Sequence, residues 1–96
     1  VKELQEEIRT FLKSRGWENQ YALQKDLALS ISIESAELLE CFQWKESKEA
    51  VEKNEEAILD ELADVLIYSL QLADSFELDA AEIIRRKLEK NKKRVW

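Results

Sequence analysis

Ninety-six residues, 45% of them apolar, with one Gly and no Pro, are enough for one small and almost wholly helical domain spanning 1–96. The lone Cys41 excludes an intramolecular disulfide, and the absence of His excludes His-ligated zinc, Ser-His or Cys-His nucleophile pairs and Glu-x-x-His di-iron sites. The net charge of −6 joins an acidic body (residues 1–84, 8 basic and 20 acidic) to a basic end (residues 85–96, 7 basic and 1 acidic), which disfavours general nucleic-acid binding.

The first helix is expected from Val1 to Ser14, with Leu4, Ile8, Phe11 and Leu12 on one face and Glu3, Glu6, Arg9 and Lys13 on the other. Gly16 suits its exit. Trp17 to Leu23 reads as a connection carrying two aromatics, Trp17 and Tyr21. A second helix, Gln24 to Trp44, has a seam at Leu27, Ile31, Glu34, Leu38 and Cys41, where Glu34 takes a place that would ordinarily be Leu. Lys45 to Lys53 is polar, with Ser47 able to cap short turns.

Asn54 is a good N-cap for a third helix, Glu55 to Ser75, whose seam runs Ile58, Glu61, Val65, Tyr68 and Leu72. Leu59, Leu62, Ala63, Leu66, Ile67 and Leu70 make most of its remaining circumference apolar. Such a helix needs cover on several sides, and a second subunit with two-fold symmetry is expected to supply it. Asp79-Ala-Ala-Glu82 forms a capping box for a fourth helix, with Ile83, Ile84 and Leu88 facing inward. No run of 18 apolar residues and no signal-peptide pattern occurs, so a cytoplasmic protein without a membrane span is expected.

The conspicuous conflict lies in two acidic pairs, Glu34-Ser-Ala-Glu37 and, after 23 residues, Glu61-Leu-Ala-Asp64. Spacing of i, i+3 sets two side chains about 60° and about 4.5 Å apart on a helix. A solvated helix face explains most acids, and it suits Glu40, Glu46, Glu49, Glu52, Glu55, Glu56 and Asp60. It does not suit Glu34 and Glu61, which apolar residues bracket one turn before and after. A buried ion pair is the other ordinary solution, yet Lys25 is the only basic residue between positions 24 and 44. Packed antiparallel, the two helices would concentrate four carboxylates, which calls for a cation. An all-oxygen donor set favours Mg²⁺.

Two further signals stay open on residues alone. The basic C-terminal turn serves either the helix dipole or a phosphate. Trp17, Trp44 and Tyr68 are either packing residues or flat surfaces for a base; Tyr68 shares the face of Glu61 and Asp64.

These words together resemble the MazG-type, all-α nucleoside triphosphate pyrophosphohydrolases. Glu37-Leu-Leu-Glu-Cys-Phe-Gln-Trp44 resembles that family's E-L-x-E-x-F-Q-W, and Glu61-Leu-Ala-Asp-Val-Leu-Ile-Tyr68 its E-L-A-D-V-L-x-Y. Lys87-Leu-Glu-Lys-Asn91-Lys-Lys-Arg94 is similar to its C-terminal K-x-x-x-N-x-x-K. The likeness covers nearly the whole chain and is strongest for the short branch that includes dCTP pyrophosphatases. It implies an all-α, four-helix-bundle-type fold completed by dimerisation, as a dimer or a dimer of dimers. It also implies hydrolysis of (d)NTPs to monophosphate and pyrophosphate, with Mg²⁺ on Glu34, Glu37, Glu61 and Asp64. By the same resemblance Trp17, Trp44 and Tyr68 shape the base and sugar pocket, while Lys87, Asn91 and Arg94 reach the phosphates, across a subunit boundary. Glu37 is the favoured general base. The chain departs from the family in two places. A His common after Trp17 is missing, with Gln20 or Tyr21 in that stretch, and Arg94-Val95-Trp96 stands where Lys-Tyr-Pro is usual. Two other functions stay in view: a helical oligomerisation module that binds divalent ions for structure only, and a pyrophosphohydrolase of a larger phosphoribosyl nucleotide.

Overall fold

The structure is a computed structural model and describes residues 1–17 and 23–94. Gln20, Tyr21, Val95 and Trp96 therefore lie outside the described residues. Four helices follow in chain order, α1 Lys2–Ser14, α2 Gln24–Glu40, α3 Ser47–Ser75 and α4 Ala80–Lys92, with no strand among the described residues. The all-α expectation holds.

Helix α1 closes through Gly16, whose φ of +69° is the left-handed conformation that glycine adopts without a Cβ penalty. The Gly16 N–H reaches Lys13 O at 3.1 Å and the Trp17 N–H reaches Leu12 O at 2.8 Å, satisfying two carbonyls of the last turn. Helix α3 ends with the same bond pattern, Glu77 N–H to Asp74 O at 2.9 Å and Leu78 N–H to Ala73 O at 3.4 Å. There the left-handed residue is Glu77, with φ +59°.

Helices α2 and α3 form the main packed pair. Their facing seams are the expected ones. Leu27 is buried, and Ile31, Glu34, Leu38 and Cys41 on α2, like Ile58, Glu61, Val65, Tyr68 and Leu72 on α3, are half-buried. Two boundaries differ from expectation. Helix α2 stops at Glu40, and residues 41–45 turn instead of continuing to Trp44. Helix α3 begins at Ser47, but its backbone leaves helical geometry at Asn54 (φ −120°, ψ 22°), so two helical segments meet there across a kink, the second starting after Asn54 as expected. The early start is stabilised by Ala50, which is completely buried. A methyl there allows the close approach of backbones that a longer side chain would prevent.

Helix α1 lies across α3. Arg9 forks onto Asp74, with Nη2 to Oδ1 at 2.6 Å and Nε to Oδ2 at 2.8 Å. That guanidinium holds the Asp74 carboxyl below its ordinary value. Gln5 is buried, only 4% exposed, and bridges the α3–α4 connection: its amide donates to Leu78 O at 3.0 Å and its Oε1 accepts the Ala80 N–H at 2.7 Å. Asp79 caps α4 by accepting the Ala81 N–H at 3.0 Å. Glu82, the distal member of the expected capping box, pairs with Arg86 at 2.6 Å.

The inward orientation expected of Ile83, Ile84 and Leu88 is not found within the chain, where all three are exposed. Helix α4 packs beside the C-terminal part of α3, leaving an apolar groove of about 350 Å³ lined by Leu66, Leu70, Phe76, Ile83 and Ile84 among others. Among the described residues the buried apolar side chains are Leu27, Ala50 and Ala73 alone. The chain exposes 7768 Å², whereas a compact monomer of 11.3 kDa exposes about 5,700 Å². Its radius of gyration is 15.8 Å against about 12.5 Å for a compact domain of this length.

Candidate metal centre and adjoining groove

Helix α2 delivers Glu34 and Glu37 one turn apart, and α3 delivers Glu61 and Asp64 in the same way. Carboxylate oxygens of Glu34, Glu61 and Asp64 lie within 4.8 Å of one another. Glu37 is not one of that trio, but it stands near enough to Glu34 and Glu61 to act on both by hydrogen bonding and by charge. The Glu34 carboxyl is pushed up to about 7. Removal from water is the largest cause, followed by a hydrogen bond to Glu37, repulsion from Glu37 and Asp64, and a hydrogen bond to Glu61. Glu61 is raised as well, again by loss of water first and then by Glu37. After burial, the next influences on these acids come from other acids.

Two oxygens show what the arrangement lacks internally. Glu34 Oε2 and Glu61 Oε2 are buried and have no hydrogen-bond partner. Buried carboxylate oxygens ordinarily accept from a donor or coordinate a cation. Three clustered carboxylates from two helices, with Glu37 beside them and two buried oxygens lacking a partner, fit a hard divalent ion that takes oxygen ligands.

A groove of about 770 Å³ between α1 and α3 adjoins this cluster, and Asp64 lines both. Its walls include Phe11, Trp17, Ala63, Ile67, Tyr68 and Gln71. Trp17 is set edge-on against Phe11, with ring centroids 6.0 Å apart and planes at 79°, and the Arg15 guanidinium sits 5.4 Å from the Phe11 centroid. The structure thus brings Trp17 and Tyr68 to one cavity with Asp64. Trp44 is elsewhere: the turn after Glu40 carries it outward, 93% exposed and at φ +65°.

Lys87 and Arg94 stand exposed on α4 and just beyond its end. Asn91 is half-buried, and its Oδ1 is buried with no hydrogen-bond partner. Phe11 and Gln71 are groove residues that sequence reading did not single out. Phe11 shares the apolar face of α1, and a half-exposed aromatic there carries no mark separating a wall from a core.

The comparisons with known proteins agree with this geometry. A family model described as MazG-like matches residues 29–95. A crystal structure of a pyrophosphatase from Archaeoglobus fulgidus superposes with a TM-score of 0.84 at 47% identity, covering 95% of this chain and 87% of that one. The dCTP pyrophosphatase 1 of Mus musculus is 35% identical over 88% of this chain and 52% of its own length. That of Homo sapiens is 34% identical over the same shares. The chain therefore spans about half the length of these mammalian relatives. On the matched span and the solved neighbour, this chain belongs to the MazG-like family.

Proposed function

We propose that this chain is a Mg²⁺-dependent nucleoside triphosphate pyrophosphohydrolase that converts (d)NTPs, dCTP among them, to (d)NMP and pyrophosphate. One observation carries the reading. The paired carboxylates, with their orphaned inner oxygens, open through Asp64 onto a groove walled by Trp17, Phe11 and Tyr68. The names of the mammalian and archaeal relatives support it. An ion bound only for structure would need no such groove.

Glu34, Glu37, Glu61 and Asp64 would hold the metal, which supplies neutralisation of the triphosphate charge and a more acidic water. A water oxygen attacks the α-phosphorus in line, the bond from that phosphorus to the bridging oxygen breaks, and pyrophosphate leaves. Glu37 takes the water's proton, since no His is present to do so. Trp17 and Tyr68 hold the base by stacking in the groove, a mode tolerant of base identity. Trp44, carried away from this groove on its exposed turn, would meet a nucleotide only in another copy of the chain. Lys87, Asn91 and Arg94 engage the phosphates of a site in another copy of the chain.

The protein works as a homodimer or a dimer of dimers. The excess exposed area over a compact monomer, about 2,000 Å², is of the size that obligate interfaces remove. Exposed Leu59, Leu62, Leu66, Ile83, Ile84 and Leu88 supply apolar surface for it. No described helix is long and apolar enough to cross a membrane, and the single Cys41 suits a reducing cytoplasm.

The test is incubation with each dNTP and Mg²⁺, followed by separation of products. Monophosphate plus pyrophosphate is expected. Release of orthophosphate alone, or no cleavage of any nucleotide, would overturn the reading. A phosphoribosyl nucleotide included in the same panel separates the related activity from dNTP hydrolysis.

A further inference from the structure

We propose that Asn54 is a positioning residue that sets the axial register of α3 on α2, and thereby the meeting of the two carboxylate pairs. The inference rests on the metal-centre reading above. Asn54 lies where α3 leaves helical geometry (φ −120°, ψ 22°), and its side-chain amide donates to Cys41 O at 2.9 Å. Cys41 is the C-cap of α2, so the accepted bond satisfies one of the carbonyls that the end of that helix leaves open.

The placement matters because of two equal intervals. Asn54 precedes Glu61 by seven residues, and Cys41 follows Glu34 by seven. On antiparallel helices this makes the Asn54–Cys41 layer and the Glu34–Glu61 layer two turns apart on the same seam. Fixing one layer fixes the other.

Between them the seam provides little that is specific. Leu38 and Ile58 are aliphatic and would tolerate a slip, while Glu34, Glu37, Glu61 and Asp64 repel one another and favour one. A polar side chain in an otherwise apolar seam is a known way to choose one register at some cost in stability. The hydrogen bond from Gln24 Nε2 to Ser75 Oγ at the far end of the pair is long, 3.2 Å, and exposed. Asn54 is the half-buried anchor of the two.

The test uses Asn54→Leu, which keeps an apolar seam and need not cost stability, together with Asn54→Ala and the donor-retaining Asn54→Ser. Mg²⁺ binding by calorimetry should weaken at least ten-fold in the Leu and Ala variants, whatever happens to Tm, and Asn54→Ser should recover most of the loss. A crystal structure of Asn54→Leu should show Glu34 displaced along α2 from its place opposite Glu61. Wild-type-like Mg²⁺ affinity, or an unmoved Glu34–Glu61 pairing, overturns the proposal. If wild-type protein binds no Mg²⁺ and cleaves no nucleotide, the catalytic reading fails instead. The crystallographic register then still decides the role of Asn54.

Discussion

Gln5 and Ala80, 75 positions apart in sequence, are joined by a 2.7 Å hydrogen bond in which the glutamine Oε1 accepts the first N–H of α4. The other end of the same amide donates to Leu78 O. One buried side chain on α1 thus fixes where α4 starts and in which direction it leaves α3. Gln5→Leu keeps the bulk but strands both backbone groups. It should cost about 2–3 kcal/mol in denaturant unfolding, since a buried backbone group without a partner costs about 1–3 kcal/mol. A loss below about 0.5 kcal/mol would show that the bridge is dispensable.

Stability of the metal-free protein should fall as pH rises from about 4.5 to about 7. The Glu34 carboxyl ordinarily titrates at 4.5 and is pushed up to about 7 in the fold, and Glu61 moves the same way. Over that interval the folded state holds more protons than the unfolded chain, so raising pH removes stability. Tm measured in EDTA should drop by several degrees across the window. Adding Mg²⁺ at 100 times its Kd should restore about 2.7 kcal/mol at pH 8, where the carboxylates are ionised. A flat profile in EDTA, or no response to Mg²⁺, would count against the cluster as drawn.

Substitution inside the cluster should separate stability from activity. Glu37→Gln removes the proposed base and a neighbouring charge together, so turnover should fall at least about 100-fold while helicity is unchanged. Tm in EDTA should rise, because Glu37 is, after burial, the next cause of the raised carboxyls of Glu34 and Glu61. A variant that loses both activity and Tm would indicate a structural role for Glu37.

Glu77 is held at φ +59°, where a side chain costs about 1–2 kcal/mol and glycine almost nothing. After the extra flexibility that glycine gives the unfolded chain, Glu77→Gly should raise stability by about 0.5–1 kcal/mol without altering kcat. Denaturation midpoints of the two proteins check it directly.

Trp44 is in the same backbone region, at φ +65°, and almost fully in solvent. A large aromatic kept in strain on the surface is explained if it serves a ligand. Trp44→Gly should leave Tm equal or higher while raising KM for dNTPs about ten-fold, the loss of one stacking contact of about 1–3 kcal/mol. An unchanged KM would show that Trp44 takes no part in nucleotide binding.

Much of this architecture was legible in the residues. The seams of α2 and α3, the exit at Gly16 and the cap at Asp79 follow from spacing and from residues with strong positional preferences. The acids declared themselves by interrupting those seams. What escaped has separate causes. Helix α2 stops at Glu40 although Cys41 and Phe42 continue the apolar rhythm, and the turn forms around a tryptophan, a residue with no preference for that conformation. Asn54 reads as the start of a helix and does stand where one helical segment gives way to the next; what the residues hid is the helical segment before it, from Ser47, in which Ala50 is completely buried. The outward stance of Ile84 and Leu88 on α4 was hidden for a different reason: hydrophobicity marks a face to be covered and does not say which chain covers it.

No large side chain among the described residues is fully enclosed within the single chain. A protomer alone has little to hold its helices together, and the proposed association would supply what is missing. On that proposal dilution would act as a denaturant, and the melting temperature would climb with protein concentration by mass action. In a cell, the amount of active protein would rise more steeply than its rate of synthesis.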